Sequence, residues 1–165
     1  MLCSDTLIEN YYTVYKKHLN RHDTLFGGQI LFWLDEVMGM TIRKYSVIPF
    51  VTATIDNYQF LDAVNLNELL IIKSYVSRVG NKSVEIFSEL SAFNIQDKST
   101  RLVGLCTSTF SVRRDISLEQ PLEKVVVGDN LLEKFVVETY NSRKNGELSM
   151  REFSRQYLEY YNKEN

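Results

Sequence analysis

The spacing of hydrophobic residues along the chain changes from helical to extended near residue 49. Between Gly27 and Tyr45, apolar side chains recur every three or four positions and cover most of a helix surface. The positions that carry this pattern are Ile30, Leu31, Trp33, Leu34, Val37, Met38 and Met40. Asp23 and Thr24 precede the run, and we expect their side chains to cap its first backbone N–H groups.

Beyond Pro49, β-branched and aromatic residues with few breakers are typical of strands. The pattern predicts strands over residues 50–60, 69–79, 82–95 and 102–112, and an opening strand over residues 6–17. Gly80-Asn81 has the composition of a hairpin turn. One long apolar helix and five strands, four of them consecutive and linked by hairpins, predict an α+β fold with an antiparallel sheet wrapped around the helix. Because such a sheet covers only one side of the helix, we expect a homodimer with a continuous sheet.

After Asp115 the pattern changes again. A connecting segment with Pro121 and Gly128 leads to two amphipathic stretches. Their apolar positions at helical spacing are Leu131, Leu132, Phe135, Val136 and Tyr140 in the first, and Met150, Phe153, Tyr157, Tyr160 and Tyr161 in the second. We expect a main domain over residues 1–115 and a helical extension over residues 116–165, packed on that domain or on a neighbouring subunit.

Composition narrows the function classes. The chain has 165 residues and a net charge of −2, which suits one globular domain and does not suggest a nucleic-acid partner. Cys3 and Cys106 match no disulfide framework, and His18 and His22 lack a nearby third ligand, so no metal site is expected. Without a signal-peptide pattern or a membrane-length apolar run, the expectation is a cytoplasmic protein with no membrane partner.

One acid within the predicted helix stands out chemically. Asp35 lies two turns beyond Gly28 on the same face, about 10 Å further along the axis. A helix start offers free N–H groups that polarise a carbonyl, and a carboxylate can activate water, which together suit acyl transfer to water. The alternative is that Asp35 and Glu36 merely edge the buried stripe, with Asp35 paired to a basic group.

Three segments resemble a known family when they are taken in order. They are HLN at 18–20, DTLFGGQILFWLDE at 23–36 and VTATIDNYQFL at 51–61. Their order and spacing resemble the hotdog-fold acyl-CoA thioesterases, in the branch of the acyl-CoA hydrolases, and the similarity extends over residues 8–114. The resemblance implies the hotdog fold, with the sheet wrapped around one central helix.

The same resemblance implies an enzyme that hydrolyses fatty acyl-CoA to free fatty acid and CoA. No cofactor is implied, since CoA belongs to the substrate. Asp35 would be the general base or nucleophile, Asn20 would orient the water or thioester, and the two would come from opposite subunits. Gly27 and Gly28 would donate N–H groups to the thioester oxygen. The homodimers would assemble into tetramers or hexamers. The alternatives are that Asn20 is a turn residue and that the glycines serve only close packing.

The substrate-binding candidates lie in the strands. The turn Arg78-Val79-Gly80-Asn81-Lys82-Ser83 resembles the family's Val-Gly-x-x-Ser segment beside bound CoA, and it makes Arg78, Gly80, Lys82 and Ser83 candidates. Arg113 and Arg114 are further cations at the end of the last strand. Thr52 and Thr54 are candidates for hydrogen bonding the nucleophilic water. The alternatives are a solvated hairpin edge for the cations and plain β-propensity for the threonines.

The chain departs from the family pattern in its connections. Asp23 stands where the family often has Gly, Ala63 replaces a Pro, and Asn67-Glu68 replaces a Gly-Asp pair. Two rival functions use the same fold. A non-catalytic acyl-CoA or acyl-ACP sensor could lose the base, and a hydratase or dehydratase would need a catalytic His motif, which His18 and His22 do not supply.

Overall fold

The computed structural model describes residues 1–164 as a five-stranded antiparallel sheet with helices on both faces. The elements are β1 (Ile8–Thr13), α1 (Gly27–Tyr45), β2 (Phe50–Phe60), β3 (Leu69–Val79), β4 (Ser83–Phe93), β5 (Thr100–Val112), α2 (Leu131–Glu138), α3 (Tyr140–Lys144) and α4 (Met150–Glu164). The predicted bounds of the long helix and of the strands at 50–60 and 69–79 agree with the structure. The opening strand is shorter than predicted, because a 3-10 turn at Lys16–His18 follows it.

The order of strands in the sheet is β1-β3-β4-β5-β2. Hairpins join β3 to β4 and β4 to β5, but β2 pairs with β5, so the expectation of four consecutive hairpin-linked strands was wrong. The connection 61–68 carries the chain from β2 to the far side of the sheet. Arg101 fixes this connection by donating to Asp62 at 2.8 Å and to Glu68 at 2.7 and 2.9 Å.

The inner face of the sheet packs against α1. The buried face of the helix consists of Ile30, Trp33, Leu34, Val37, Met38, Thr41, Ile42 and Tyr45. These side chains contact buried residues of β3, β4 and β5 such as Leu70, Ile86 and Phe110. The Thr41 hydroxyl donates to the Ser74 carbonyl oxygen at 3.2 Å, so a buried polar contact also joins helix and sheet.

The outer face of the sheet is covered by α2 and α4. Phe87 of β4 contacts Phe153 and Tyr157 of α4 at ring-centroid distances of 6.0 and 5.4 Å. Tyr157 also donates to the buried Glu89 carboxylate at 2.6 Å. The extension, predicted as two helices up to residue 165, forms three, since α2 ends where the Thr139 hydroxyl donates to the Phe135 carbonyl oxygen. Residue 165 lies outside the described residues.

A second apolar surface stays open along α1 and the edge strand β2. Its large exposed side chains are Phe26, Phe32, Met40, Val51, Ile55 and Phe60. Phe32 is 61% exposed although it belongs to the central helix. A contiguous apolar surface beside an unpaired strand edge is typical of a protein–protein interface.

Both cysteines are free and buried, on opposite faces of the sheet. Cys3 packs in the outer cluster and Cys106 in the inner core. Burial raises the pKa of each thiol to about 11. The thiols therefore remain protonated at neutral pH and act as small apolar groups.

Candidate active site

The loop before α1 is organised by Asn20. Its side-chain oxygen accepts from the backbone N–H groups of His22 at 2.8 Å and Thr24 at 3.3 Å, and its amide donates to the Thr24 hydroxyl at 3.0 Å. This is the turn role that the sequence left open for Asn. The amide nitrogen has two N–H groups, so one stays available after the contact with Thr24.

The expected capping by Asp23 and Thr24 was wrong. The helix begins after Phe26, whose side chain makes no capping hydrogen bond. Asp23 instead turns the loop with a φ of +60°, and Asn67 has a φ of +66° in the connection before β3. Both are positions where the resembled family often has Gly, and Asp and Asn are the residues other than Gly that tolerate this conformation best.

The first N–H groups of α1 are available for a ligand. Within residues 1–164, no hydrogen bond is made by the backbone N–H of Gly27 or Gly28. A Cβ on Gly28 would lie 2.4 Å from the Phe26 ring, and one on Gly27 would lie 3.3 Å from the Phe60 ring. The glycine pair thus lets two aromatic rings approach the helix start, and it also leaves two donors exposed at its positive end.

Asp35 projects from the open side of α1 toward β2. The Thr52 hydroxyl donates to its carboxylate at 3.0 Å, and no cation pairs with it among the residues described. The alternative of pairing with a basic group therefore has no support. The Asp35 side chain is exposed in the single chain, at the edge of the buried stripe of the helix.

The two threonines of β2 have different partners. Thr54 donates to Asp56 at 2.7 Å, and Thr109 of β5 donates to the same carboxylate at 2.6 Å. A β-bulge between Thr52 and Thr54 shifts the pairing with β5 at this point. Thr52 alone therefore contacts the candidate base.

A groove of about 710 Å³ runs from Asp35 and Thr52 toward the end of α1. Its apolar lining comes from Ile42, Val47, Phe50, Val51 and Phe110. Trp33 does not line it, because its ring is stacked on Tyr12 at 4.5 Å within the core. The groove starts at the candidate base, and Arg43 and Ser46 line it together with these apolar side chains.

The predicted CoA turn is a tight, positively charged hairpin. Gly80 N–H donates to the Ser83 carbonyl oxygen at 2.7 Å, and Lys82 is exposed. Arg78 stacks on the Tyr140 ring, 3.9 Å from its centroid, and donates to Asn141 at 3.1 Å. Lys124 donates to the carbonyl oxygens of residues 79 and 80 at 2.9 and 3.3 Å.

The alternative cations at the end of β5 differ in their pairing. Arg113 forms two hydrogen bonds of 2.6 Å with Asp115, which raise the pKa of its guanidinium and compensate its charge. Arg114 is exposed and forms no ion pair within residues 1–164. The positive charges available to an anion therefore lie at Arg114 and at the turn between β3 and β4.

Sequence reasoning missed the three residues of the C-terminal half that reach this turn: Lys124, Tyr140 and Asn141. Each lies more than 40 residues beyond its partner, so no local spacing reveals the contact.

The two histidines have separate local contacts. His18 accepts from the Tyr15 N–H at 3.1 Å and contacts Trp33 edge-on, whereas the exposed His22 accepts from Arg21 at 3.2 Å. Over residues 1–164, no group of His, Cys, Asp and Glu is placed to hold a metal ion. In the same range, no helix has the length and hydropathy to span a membrane.

Comparison with known proteins agrees with this geometry. Residues 22–96 match the thioesterase superfamily. An uncharacterized acyl-CoA thioester hydrolase of Bacillus subtilis (strain 168) is 25% identical over 87% of this chain and 85% of its own length. The acetyl-coenzyme A thioesterase of Rattus norvegicus is 30% identical over 58% of this chain, which covers only 17% of that larger protein.

Solved structures share the fold over nearly the whole chain. The acyl-CoA hydrolase of Staphylococcus aureus in complex with butyryl-CoA, CoA and CoA disulfide has a TM-score of 0.80 and 25% identity, and the alignment covers 98% of each chain. An apo-hexameric acyl-CoA thioesterase has a TM-score of 0.81 and 23% identity, with 88% and 93% covered. The resemblance stated from the sequence is thereby confirmed: residues 22–96 match the thioesterase superfamily, and the chain has the hotdog fold.

Proposed function

We propose that this protein is an acyl-CoA thioesterase that hydrolyses fatty acyl-CoA to free fatty acid and CoA. The observation that carries the proposal is the Asp35 carboxylate, held by Thr52 at the mouth of an apolar groove and free of any cation partner within residues 1–164. A buried or paired acid would serve stability, whereas an accessible acid with one hydroxyl donor can accept a proton. The names of the relatives support the same activity.

The proposed chemistry is one addition and one elimination. The free N–H groups of Gly27 and Gly28 polarise the thioester carbonyl oxygen, and Asp35 takes a proton from a water molecule as its oxygen attacks the carbonyl carbon. The C–S bond then breaks, and the CoA sulfur leaves as a thiolate that accepts the proton. Asn20 helps to position the water with its remaining N–H. No step requires a cofactor.

The proposed site is completed by a second copy of the chain. Gly28 and Asp35 are seven residues apart on one helix, so their positions along the axis differ by about 10 Å, too far for one substrate carbonyl. The open apolar surface of Phe32, Ile55 and Phe60 lies beside both groups and suits a homodimer interface. In such a dimer, Asn20 and the helix start of one copy would face Asp35 of the other. We propose that these dimers assemble further into tetramers or hexamers.

The test uses the purified full chain and palmitoyl-CoA, with release of free thiol as the measurement. We expect Asp35→Asn to lower kcat by roughly 10²- to 10⁴-fold, because the base is lost and the size of the side chain is kept. Glu36→Gln is the matched control, since it removes the neighbouring carboxylate, which points elsewhere on the helix. Sedimentation of both variants checks that assembly is unchanged.

Two results would overturn the proposal. Near-normal turnover by Asp35→Asn would remove this acid from the mechanism. Binding of palmitoyl-CoA by the wild type without any thiol release would favour the alternative function, a non-catalytic acyl-CoA or acyl-ACP sensor.

A further inference from the structure

Arg78 is held by different partners from the four arginines that form ion pairs. Arg101, Arg113, Arg143 and Arg155 each form an ion pair with a carboxylate. Arg78 makes no such pair among the described residues; its two partners are a tyrosine ring and an amide oxygen. Its position is fixed while its positive charge stays uncompensated, and this combination suits the binding of an anion.

The contacts of Arg78 leave part of its hydrogen-bonding edge free. The Tyr140 ring lies against one face of the guanidinium, with its centroid 3.9 Å from Cζ. Asn141 accepts from Nη1 at 3.1 Å. A guanidinium carries five N–H groups in one plane, so stacking uses none of them and the remaining edge can still bind a phosphate through two parallel hydrogen bonds.

The segment that carries Tyr140 and Asn141 is anchored by a buried ion pair. Arg143 of α3 donates to Glu85 of β4 at 2.9 and 3.1 Å, and their side chains are only 5% and 10% exposed. The Ser77 hydroxyl donates to the same carboxylate at 2.7 Å. Since α3 is fixed to β3 and β4 in this way, Tyr140 is a rigid surface for Arg78.

The hairpin beside Arg78 carries further positive charge. Lys124 binds the carbonyl oxygens of residues 79 and 80, and Lys82 projects from the exposed turn. No carboxylate pairs with either lysine within residues 1–164. The turn therefore attracts a multiply charged anion. Among its cations, Arg78 is the one whose orientation is fixed by Tyr140 and Asn141 of the C-terminal extension.

We propose that Tyr140 and Asn141 are positioning residues that present Arg78 to a phosphate group of the coenzyme A moiety. The inference rests on the proposed function and assigns the C-terminal extension a part in substrate binding. Holding the guanidinium in place before the substrate arrives lowers the entropy cost of binding. The effect should therefore appear in KM for substrates that carry the nucleotide phosphates, with kcat unchanged.

The experiment compares two thioesters of the same acyl group, palmitoyl-CoA and palmitoyl-pantetheine, which lacks all phosphates. For Tyr140→Ala we expect KM for palmitoyl-CoA to rise roughly three- to tenfold, with kcat within about twofold of the wild type. KM for palmitoyl-pantetheine should stay unchanged. Tyr140→Phe keeps the ring and should restore the wild-type KM. Asn141→Ala should raise KM for palmitoyl-CoA in the same selective way.

Tyr160→Ala is the matched control, because Tyr160 is a partly exposed tyrosine of the same extension that packs on Phe135, away from Arg78. It should leave both KM values unchanged. Equal changes for the two substrates in Tyr140→Ala, or no change for either, would overturn the inference while the proposed hydrolysis stands. If the wild type hydrolyses neither thioester, the proposed function fails, and calorimetry with adenosine 3′,5′-bisphosphate still tests the site. Equal affinity of wild type and Tyr140→Ala for adenosine 3′,5′-bisphosphate would then refute the inference that Tyr140 positions Arg78.

Discussion

The two faces of this sheet differ in how completely the chain covers them. On the outer face, α2 and α4 bury an aromatic cluster, and the acid there, Glu89, has a tyrosine hydroxyl as its partner. On the side of α1 and β2, large apolar residues and Asp35 remain exposed. The single chain therefore covers its outer face by itself, whereas the face with the candidate chemistry stays open, as the proposed dimer and substrate site require.

The largest expected difference between the faces concerns two phenylalanines. Phe153→Ala should lower the free energy of unfolding by about 3–5 kcal/mol, because the fully buried ring packs against Phe87 and Phe135. Phe32→Ala should change it by less than about 1 kcal/mol in the dissociated chain, since Phe32 is exposed. Urea unfolding at low protein concentration measures both values.

For self-association we expect the larger effect from Phe32→Ala and the smaller effect from Phe153→Ala. Phe32→Ala should weaken the dimer in sedimentation experiments, whereas Phe153→Ala should leave the affinity of its folded fraction unchanged. The contrast between the faces would be wrong if Phe32→Ala destabilised the dissociated chain as much as Phe153→Ala and left association intact.

A smaller expected effect concerns the pH dependence of stability on the outer face. Burial raises the pKa of Glu89 above its usual 4.5, while the Tyr157 hydrogen bond opposes this. The folded state then binds more protons than the unfolded state above about pH 4.5, so stability falls as pH rises through the raised pKa, with a slope of at most about 1.4 kcal/mol per pH unit.

Glu89→Gln should remove this slope, and Tyr157→Phe should extend the falling region to higher pH because it removes the opposing hydrogen bond. Unfolding free energies measured from pH 4 to 8 test both expectations. A slope in Glu89→Gln equal to that of the wild type would show that the pKa of this acid is the same in the folded and unfolded states.

The smallest expected effect is at the inner face beside the helix start. The Tyr58 hydroxyl is buried against Gly104 and has no hydrogen-bond partner among residues 1–164. Tyr58→Phe removes an unsatisfied polar group and keeps the ring, so we expect the free energy of unfolding to rise by about 1 kcal/mol. A loss of stability in thermal or urea unfolding would show that the hydroxyl has a favourable contact, for example with bound water.

Local periodicity predicted the elements of this fold well, because the bounds of α1 and of β2 and β3 follow directly from which side chains face the core. It did not predict that β2 pairs with β5. That pairing depends on the connection 61–68, which is fixed by Arg101 from another strand. It also assigned the wrong capping residues to the helix, since Asp23 adopts a left-handed turn and the helix begins after Phe26, which makes no side-chain cap.

The candidate site was predictable to a similar extent. Asp35 and Thr52 were each identified from the sequence, but only the folded chain shows that one donates to the other. The role of Asn20 within its own loop was one of two alternatives until its hydrogen bonds were seen. The support of Arg78 by residues more than 60 positions away had no signal in the sequence, because contacts across the fold leave no periodic trace.

The chemistry of the two thiols has a practical consequence for every experiment on hydrolysis. Colorimetric disulfide reagents react with thiolates, and both cysteines of this protein are held protonated inside the folded chain. Liberated CoA is then the reactive sulfhydryl in the cuvette, so turnover can be followed continuously with a low blank. A rising blank would in turn report unfolding, and the same reading would warn when a variant no longer keeps its native packing.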